Sequence, residues 1–210
     1  MTEHRIVRHI ARPTQSISDG LRAAGASTVY EAAGRRGLLP TRLRPVVGGT
    51  AIAGPAVTVS LPPDDNLMVH AAIECCEPGD ILLVVPTAPS ACAMIGELLA
   101  TSLAARGVAG IIVDAGVRDV TALRAMGVQA WSSLVTPAGA TKSRPGSVNV
   151  PVRVGDVVVA PGDILVADDD GVVAVAAAES GAELHSGGAV EPFDGPQFRR
   201  APGRHGDVGD

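Results

Sequence analysis

Aromatic residues are scarce in this 210-residue chain, which has one Trp, one Tyr and two Phe, 2% of the total. The net charge is −5. Without stacking platforms or a basic surplus, the sequence offers no grip for nucleic acid. Long hydrophobic runs are missing too. Ile81–Pro86 and Gly110–Val113 are broken within a few residues, far from the roughly 20 needed to cross a bilayer. The start, Met1-Thr2-Glu3-His4-Arg5, lacks the basic-then-apolar profile of a secretion signal. The expectation is a cytoplasmic protein with no membrane and no nucleic-acid partner. The three cysteines, Cys75, Cys76 and Cys92, are an odd number without metal-ligand spacing, and the adjacent pair reads as buried thiol packing.

Lysine is nearly absent as well: Lys142 stands alone among 17 basic residues, and the rest are arginines. Planar, always-charged forks suit a protein that handles carboxylates, although a GC-rich genome gives the same bias. What is present is enough for a core. Hydrophobic residues make up 46% and charged residues 19% of a length that fits one compact domain.

The pattern along the chain is mixed. Ser16–Gly25 and Thr28–Arg36 read as helices stopped by glycine, and Thr50–Leu61 as one long strand or a pair bent at Gly54-Pro55. A capping-rich loop, Pro62 to Asn66, leads into a helix over Leu67–Cys76. Two segments resemble each other, Glu77-Pro78-Gly79-Asp80 before Ile81–Val85 and Ala160-Pro161-Gly162-Asp163 before Ile164–Val166. Each is a Pro-Gly turn followed by a strand buried on both faces. Met94–Arg106 reads as a helix, Gly110–Asp114 as a strand and Val120–Met126 as a short helix. Val150–Val154, Val157–Val159, Ile164–Val166 and Val172–Val175 then follow as strands. Helix-linked strands in the middle and β-only segments at the end indicate a mixed α/β sandwich. Residues 1–178 are read as one domain. The stretch 179–210, rich in Gly and Pro and without period, is read as an irregular tail, disordered or shifted in reading frame.

The most informative stretch runs from Gly96 to Asp119. Gly96-Glu97-Leu98-Leu99 opens a helix whose first amides have no internal partner and can hold an anion. Asp114 to Asp119 is expected as a loop at the carboxyl end of a strand, where ligands of α/β sheets bind. Twenty residues separate Glu97 from Arg118. One helix and one returning strand fill that gap, so Glu97 can meet Arg118 and Asp119 at one sheet edge. Two carboxylates, a guanidinium and free amides suit a hard divalent cation and a carboxylate ligand. The same residues also allow a plainer reading, with Asp119 capping the following helix and Arg118 in a surface ion pair.

These segments carry a resemblance. Gly96 to Ala100 and Gly107 to Asp119, with Thr28 to Arg35, Gly54 to Thr58, Asp65 to His70, Gly146 to Pro151 and Asp168 to Val173, are similar to the class II pyruvate aldolases. Those enzymes cleave 4-hydroxy-4-methyl-2-oxoglutarate and 4-carboxy-4-hydroxy-2-oxoadipate, and they belong to a superfamily named after a regulator of ribonuclease activity. The resemblance covers roughly residues 5–176. It implies a swivelling α-β-β-α sandwich assembled as trimers or hexamers, with active sites between subunits and a place in aromatic catabolism. By match, Asp119 would ligate Mg²⁺ or Mn²⁺, Glu97 would hold water carried by the metal, and Arg118 would face the substrate oxygen. The amides of Leu98 and Leu99 would take the pyruvyl carboxylate, with Gly96 and Glu97 also counted among the substrate-binding residues. Members often carry Asp where Glu97 stands. Glu31, Asn66 and His70 lie in matched motifs and would shape the site, from the neighbouring subunit; the plainer alternative is that they only cap and hydrogen-bond their own loops. The tail departs from the family pattern, in which a charged helix gives an acidic residue to the adjacent subunit's site.

A pyruvate enolate needs stabilisation during retro-aldol cleavage. A Schiff base is one route, but Lys142, the only lysine, is expected in a polar loop far from the site. A cation chelating the α-keto acid needs no lysine, and Arg118 would neutralise the developing oxyanion. A metal-activated water is the first candidate for general base and His70 the second. Oxaloacetate decarboxylation passes through the same enolate and should accompany cleavage. The other reading is a non-enzymatic protein of this fold that binds and regulates a ribonuclease.

Overall fold

The computed structural model describes residues 4–179; the irregular tail expected from 179 on lies, apart from Glu179 itself, outside the described residues. Helices α1 (Gln15–Ala24) and α2 (Ala26–Ala32) come first, then strands β1 (Arg44–Val47) and β2 (Ile52–Leu61). The middle of the chain alternates: α3 (Leu67–Ile73), β3 (Ile81–Pro86), β4 (Ala93–Ile95), α4 (Glu97–Ala105), β5 (Gly110–Val117), α5 (Val120–Ala125) and β6 (Ala130–Val135). Five short strands follow, β7 (Ser147–Val148), β8 (Val152–Val154), β9 (Val157–Val159), β10 (Ile164–Ala167) and β11 (Val172–Val175).

The main sheet runs β1-β6-β5-β3-β2-β10-β11, with β4 added to β5 and β7 to β2, and β8-β9 form a separate pair. Its centre, β2-β3-β5-β6, is parallel, as strands joined by helical crossovers must be. The long strand β2 serves two partners in turn. Ile52–Pro55 pairs antiparallel with β10, and Ala56–Leu61 pairs parallel with β3. It is one strand, and the change of partner falls at Gly54-Pro55. A Cβ on Gly54 would lie 2.1 Å from the Gly79 carbonyl oxygen, so only glycine allows that approach.

Alternation along the strands fixes four layers. Val57, Val59, Leu82, Val84, Ile111 and Val113 pack against α3, α4 and α5 through Val69, Ala100 and Leu123. Their neighbours Ala56, Ile81, Leu83 and Ile112 face the opposite way, onto Trp131, the β8–β9 pair and Leu165, Ala167 and Val172. The outer faces of β10 and β11, through Ile164, Val166 and Val173, meet Ala26 and Val29 of α2. Helix, sheet, second β-layer, helix: this is the swivelling α-β-β-α sandwich that the resemblance implied. The core is almost wholly aliphatic. Trp131 is fully buried, with its indole N–H donating to the Asp168 carbonyl at 2.9 Å; each buried Val, Leu or Ile side chain is worth roughly 1.5–3 kcal/mol.

The two look-alike Pro-Gly segments fold alike. Asp80 accepts from the Glu77 amide and Asp163 from the Ala160 amide, both at 2.7 Å. Gly79 and Gly162 take φ of 89° and 87°, a region that favours glycine. Each turn launches a strand, β3 or β10, onto one half of β2.

Three expectations need correction. Met94 and Ile95 belong to β4 and not to the helix, because this strand pairs in parallel with the end of β5 and both residues are fully buried there. Residues 114–117 are strand, and only Arg118 and Asp119 lie beyond it before α5 begins. The helix expected over Thr28–Arg36 starts at Ala26 and stops at Ala32, since Asp168 receives the Ala26 amide at 2.8 Å and caps it early. Strand β1, in an arginine- and proline-rich stretch, had no alternating signal. Cys75 and Cys76 are buried and free as expected, with the Cys76 thiol pushed up to about 12 by burial.

Candidate active site

Strand β4 builds the site. Its parallel pairing with the end of β5 sets Ala93 beside Gly116 and Ile95 beside Val117. The residues that follow each strand therefore emerge side by side, with the Arg118 amide donating to the Ile95 carbonyl at 3.0 Å. Gly96 lies between them. A Cβ there would sit 2.4 Å from Asp119 Oδ2, 2.9 Å from Arg118 Cγ and 3.0 Å from Arg118 Nε. Any side chain there would have to push Asp119 and Arg118 aside.

Asp119 holds an unusual backbone, with φ 58° and ψ 37°. Asp tolerates this left-handed region better than most residues, and such outliers concentrate at functional positions. Its carboxylate does not cap α5, as the plainer reading had it. Oδ2 instead accepts from the Glu97 amide at 3.0 Å, across the start of α4. The Arg118 Nε is 3.6 Å from the same oxygen, and both side chains are nearly half exposed. The next two amides, of Leu98 and Leu99, have no acceptor among the described residues; the first intrahelical bond to reach the N-cap comes from Ala100 to Gly96. Two free N–H groups, a guanidinium and a carboxylate thus share one corner. Leu98 is 83% exposed.

The remaining expected residues divide. Asn66 is buried at the start of α3, donating from Nδ2 to the Met94 carbonyl at 2.8 Å, so it ties α3 to β4. Its Oδ1 has no partner among the described residues. His70 is exposed on α3, and partial burial together with the Lys142 charge lowers its pKa. Glu31 is elsewhere. It sits on α2, paired with Arg35 at 3.0 Å, in the helical layer on the far side of β10 and β11. Within one chain it does not join the Gly96 corner.

Lys142 is not remote, contrary to the sequence reading. The 139–144 segment runs back along the site, with Gly139 bridged to Ala93 and Thr141 to Asp65. A Cβ on Gly139 would lie 2.9 Å from an Arg118 guanidinium nitrogen. Asp65 anchors this strap from a fully buried position. It accepts from Thr141 Oγ1 and the Ser143 amide at 2.7 Å, the Leu67 amide at 3.0 Å and the Arg144 amide at 3.1 Å. Burial alone would raise its pKa, but the hydrogen bonds outweigh burial and hold the carboxyl well below the usual range. Sequence reasoning placed Asp65 in a capping loop and in a matched motif, and gave it no role of its own. Its one signal was an Asp-Asn pair in an otherwise proline-rich turn.

The donor set bears on a metal. Among the described residues, no three His, Cys, Asp or Glu side chains converge. A hard cation of the magnesium kind needs only one or two carboxylates and keeps its own water. Asp119, with one carboxylate oxygen left free by the Glu97 amide, fits that requirement.

A four-layer sandwich with this corner at the end of its parallel strands defines the protein class. The family described as Aldolase/RraA, RraA-like, matches residues 14–174, and the chain belongs to that family. A relative from Burkholderia multivorans is 38% identical over 142 residues, covering 68% of this chain and 86% of its own. One from Halalkalibacterium halodurans is 31% identical over 137 residues, covering 65% of each, so the chain spans less than two thirds of that relative. Both carry the name "Putative 4-hydroxy-4-methyl-2-oxoglutarate aldolase". The crystal structure of Streptomyces coelicolor RraAS2, described as an unusual member of the RNase ES inhibitor RraA protein family, superposes with a TM-score of 0.70 at 33% identity. It covers 80% of this chain and 89% of that one. Among the described residues, no helix is long and apolar enough to cross a membrane.

Proposed function

We propose that this chain is a divalent-metal-dependent class II pyruvate aldolase. It would cleave 4-hydroxy-4-methyl-2-oxoglutarate or 4-carboxy-4-hydroxy-2-oxoadipate to pyruvate plus pyruvate or oxaloacetate, and would decarboxylate oxaloacetate as a side reaction. The observation that carries this reading is the side-chain-free gap at Gly96, ringed by the two free α4 amides, Arg118 and Asp119. Trimeric or hexameric assembly and a cytoplasmic setting belong to the same reading.

Asp119, with Glu97 through water, would hold Mg²⁺ or Mn²⁺. When bound, the ion would supply Lewis-acid polarisation of the α-keto acid, worth several kcal/mol. The chain does the rest. The Leu98 and Leu99 amides take the pyruvyl carboxylate at the positive end of α4. Arg118 neutralises the charge that develops on the keto oxygen, a contribution of about 3–4 kcal/mol. Asp119 also holds the Glu97 amide and thereby fixes the angle at which α4 presents its free donors. His70 remains the second candidate for general base: burial and the Lys142 charge lower its pKa, which favours the neutral ring that could accept the proton of the C4 hydroxyl. Glu31 would act, if at all, on the site of an adjacent subunit.

The test is pyruvate release from each substrate and from oxaloacetate. Chelation by EDTA abolishes it and Mg²⁺ or Mn²⁺ restores it. Borohydride with pyruvate fails to trap an adduct on Lys142, which its nearness to the site makes a necessary control. Activity that survives EDTA refutes the metal reading. The second reading, a ribonuclease regulator, draws on the description of the Streptomyces relative. It gains if purified protein releases no pyruvate with either metal yet slows a ribonuclease.

A further inference from the structure

A second cavity lies at the open edge of the sheet, away from the Gly96 corner. A cavity of about 400 Å³ opens where β1, β6 and α5 meet, a size within the usual range for small-molecule sites. Its charge is unexpected. Three guanidinium-bearing residues, Arg42, Arg44 and Arg124, line it and no acidic residue does, in a chain whose net charge is −5.

Arg42 is already neutralised, since it grips Asp114 through two bonds of 2.8 and 2.7 Å. Arg44 and Arg124 are not. Neither has an ion pair among the described residues, and the one hydrogen bond of the Arg124 guanidinium is a 3.4 Å contact to the Val46 carbonyl. The hydroxyls of Ser132 and Ser133 donate to the Leu134 and Ala115 carbonyls, so they have no proton to offer a ligand. Recognition therefore rests on two unpaired forks held on different elements, Arg44 on β1 and Arg124 on α5. The lining also includes the apolar Val46, Val120 and Val135, the last 58% exposed.

We infer that this cavity binds a small organic dianion, an aliphatic chain with a carboxylate at each end. Arg44 and Arg124 each take one head, because a guanidinium fork matches a carboxylate bidentately. Val46, Val120 and Val135 cover the chain between. A bare inorganic anion leaves these valines uncovered. None of Gly96, Glu97, Arg118 and Asp119 lines the cavity, so the inference stands apart from the aldolase reading. The ligand does touch Val120, the residue directly after Asp119.

Calorimetric titration of the full chain with adipate at constant ionic strength tests this. Adipate gives one saturable event per chain that Arg118→Ala leaves within twofold. Arg44→Gln and Arg124→Gln each weaken it at least tenfold, and Arg44→Lys recovers part of the loss. Hexanoate, with one head, and sulfate, with none of the chain, bind at least tenfold more weakly. Thermal melts within a few degrees of wild type establish that the variants fold. The inference falls if wild type shows no saturable binding, if Arg118→Ala removes the event, or if sulfate binds as well as adipate. It also falls if the Arg44 and Arg124 variants change native mass and leave adipate binding intact, which makes the cavity a contact between copies.

Discussion

Gly96→Ala adds one methyl group to the corner and removes nothing. The backbone accepts it, since φ −141° and ψ −167° are extended values open to any residue. The space does not: the new Cβ would lie 2.4 Å from Asp119 Oδ2 and 2.9 Å from Arg118 Cγ, so the two side chains must retreat by about 1 Å. A misplacement of that size costs on the order of 10²-fold in rate. Stability should change little. Both displaced side chains are nearly half exposed and can swing toward water. Losing the 3.0 Å cap from Asp119 to the Glu97 amide costs roughly 0.5–2 kcal/mol, and the stiffer unfolded chain returns about 0.4–1 kcal/mol. Pyruvate release coupled to lactate dehydrogenase should show kcat/KM down about 100-fold, with Tm within about 4 °C of wild type. A variant within threefold of wild-type kcat/KM would refute the placement of Arg118 and Asp119 at the reacting centre. A variant that loses activity only because it melts more than about 10 °C lower would refute the steric argument.

Asp119→Asn keeps an acceptor for the Glu97 amide and suits the left-handed backbone, so Tm stays within a few degrees while pyruvate release falls at least about 100-fold; equal activity removes Asp119 from the chemistry. Asp65→Asn exchanges a buried carboxylate with four partners at 2.7–3.1 Å for a weaker acceptor and should cost roughly 2–4 kcal/mol in urea unfolding. Because the folded-state pKa of Asp65 is depressed, its contribution is complete above the ordinary carboxylate range and fades as pH falls. The gap between wild type and Asp65→Asn should hold from pH 5 to 8 and narrow below about pH 4, by at most about 1.4 kcal/mol per unit. A gap that stays constant down to pH 2.5 contradicts the assignment. Gly20 sits inside α1 with nothing within 4 Å of an added Cβ; Gly20→Ala should stabilise the protein by about 0.5–1 kcal/mol in the same urea assay, and a loss of stability shows that α1 needs glycine for another reason.

Continuous apolar runs after Pro-Gly turns made β3 and β10 legible in the sequence, and strict valine repeats did the same for β9 and β11. Glycines marked the ends of α1 and α4. Local chemistry decides these elements, through burial on both faces or a positive φ, and the letters record it. The acidic residue, the Arg-Asp pair and the free amides of a helix start were visible for the same reason. Strand β4 was not. Met94 and Ile95 suit a helix as well as a strand, and only the exposed edge offered by the end of β5 makes three residues extend. Lys142 was misplaced because a polar loop carries no record of its landing point; the buried Asp65, seventy-seven residues away in sequence, draws it in. The chain's own letters thus determined most of the elements and marked the candidate site residues. The tertiary structure alone decided that β4 lies beside β5, that the strap returns past Arg118 and that Glu31 stays in the opposite layer, because these depend on pairings between segments whose local sequence is neutral about the partner.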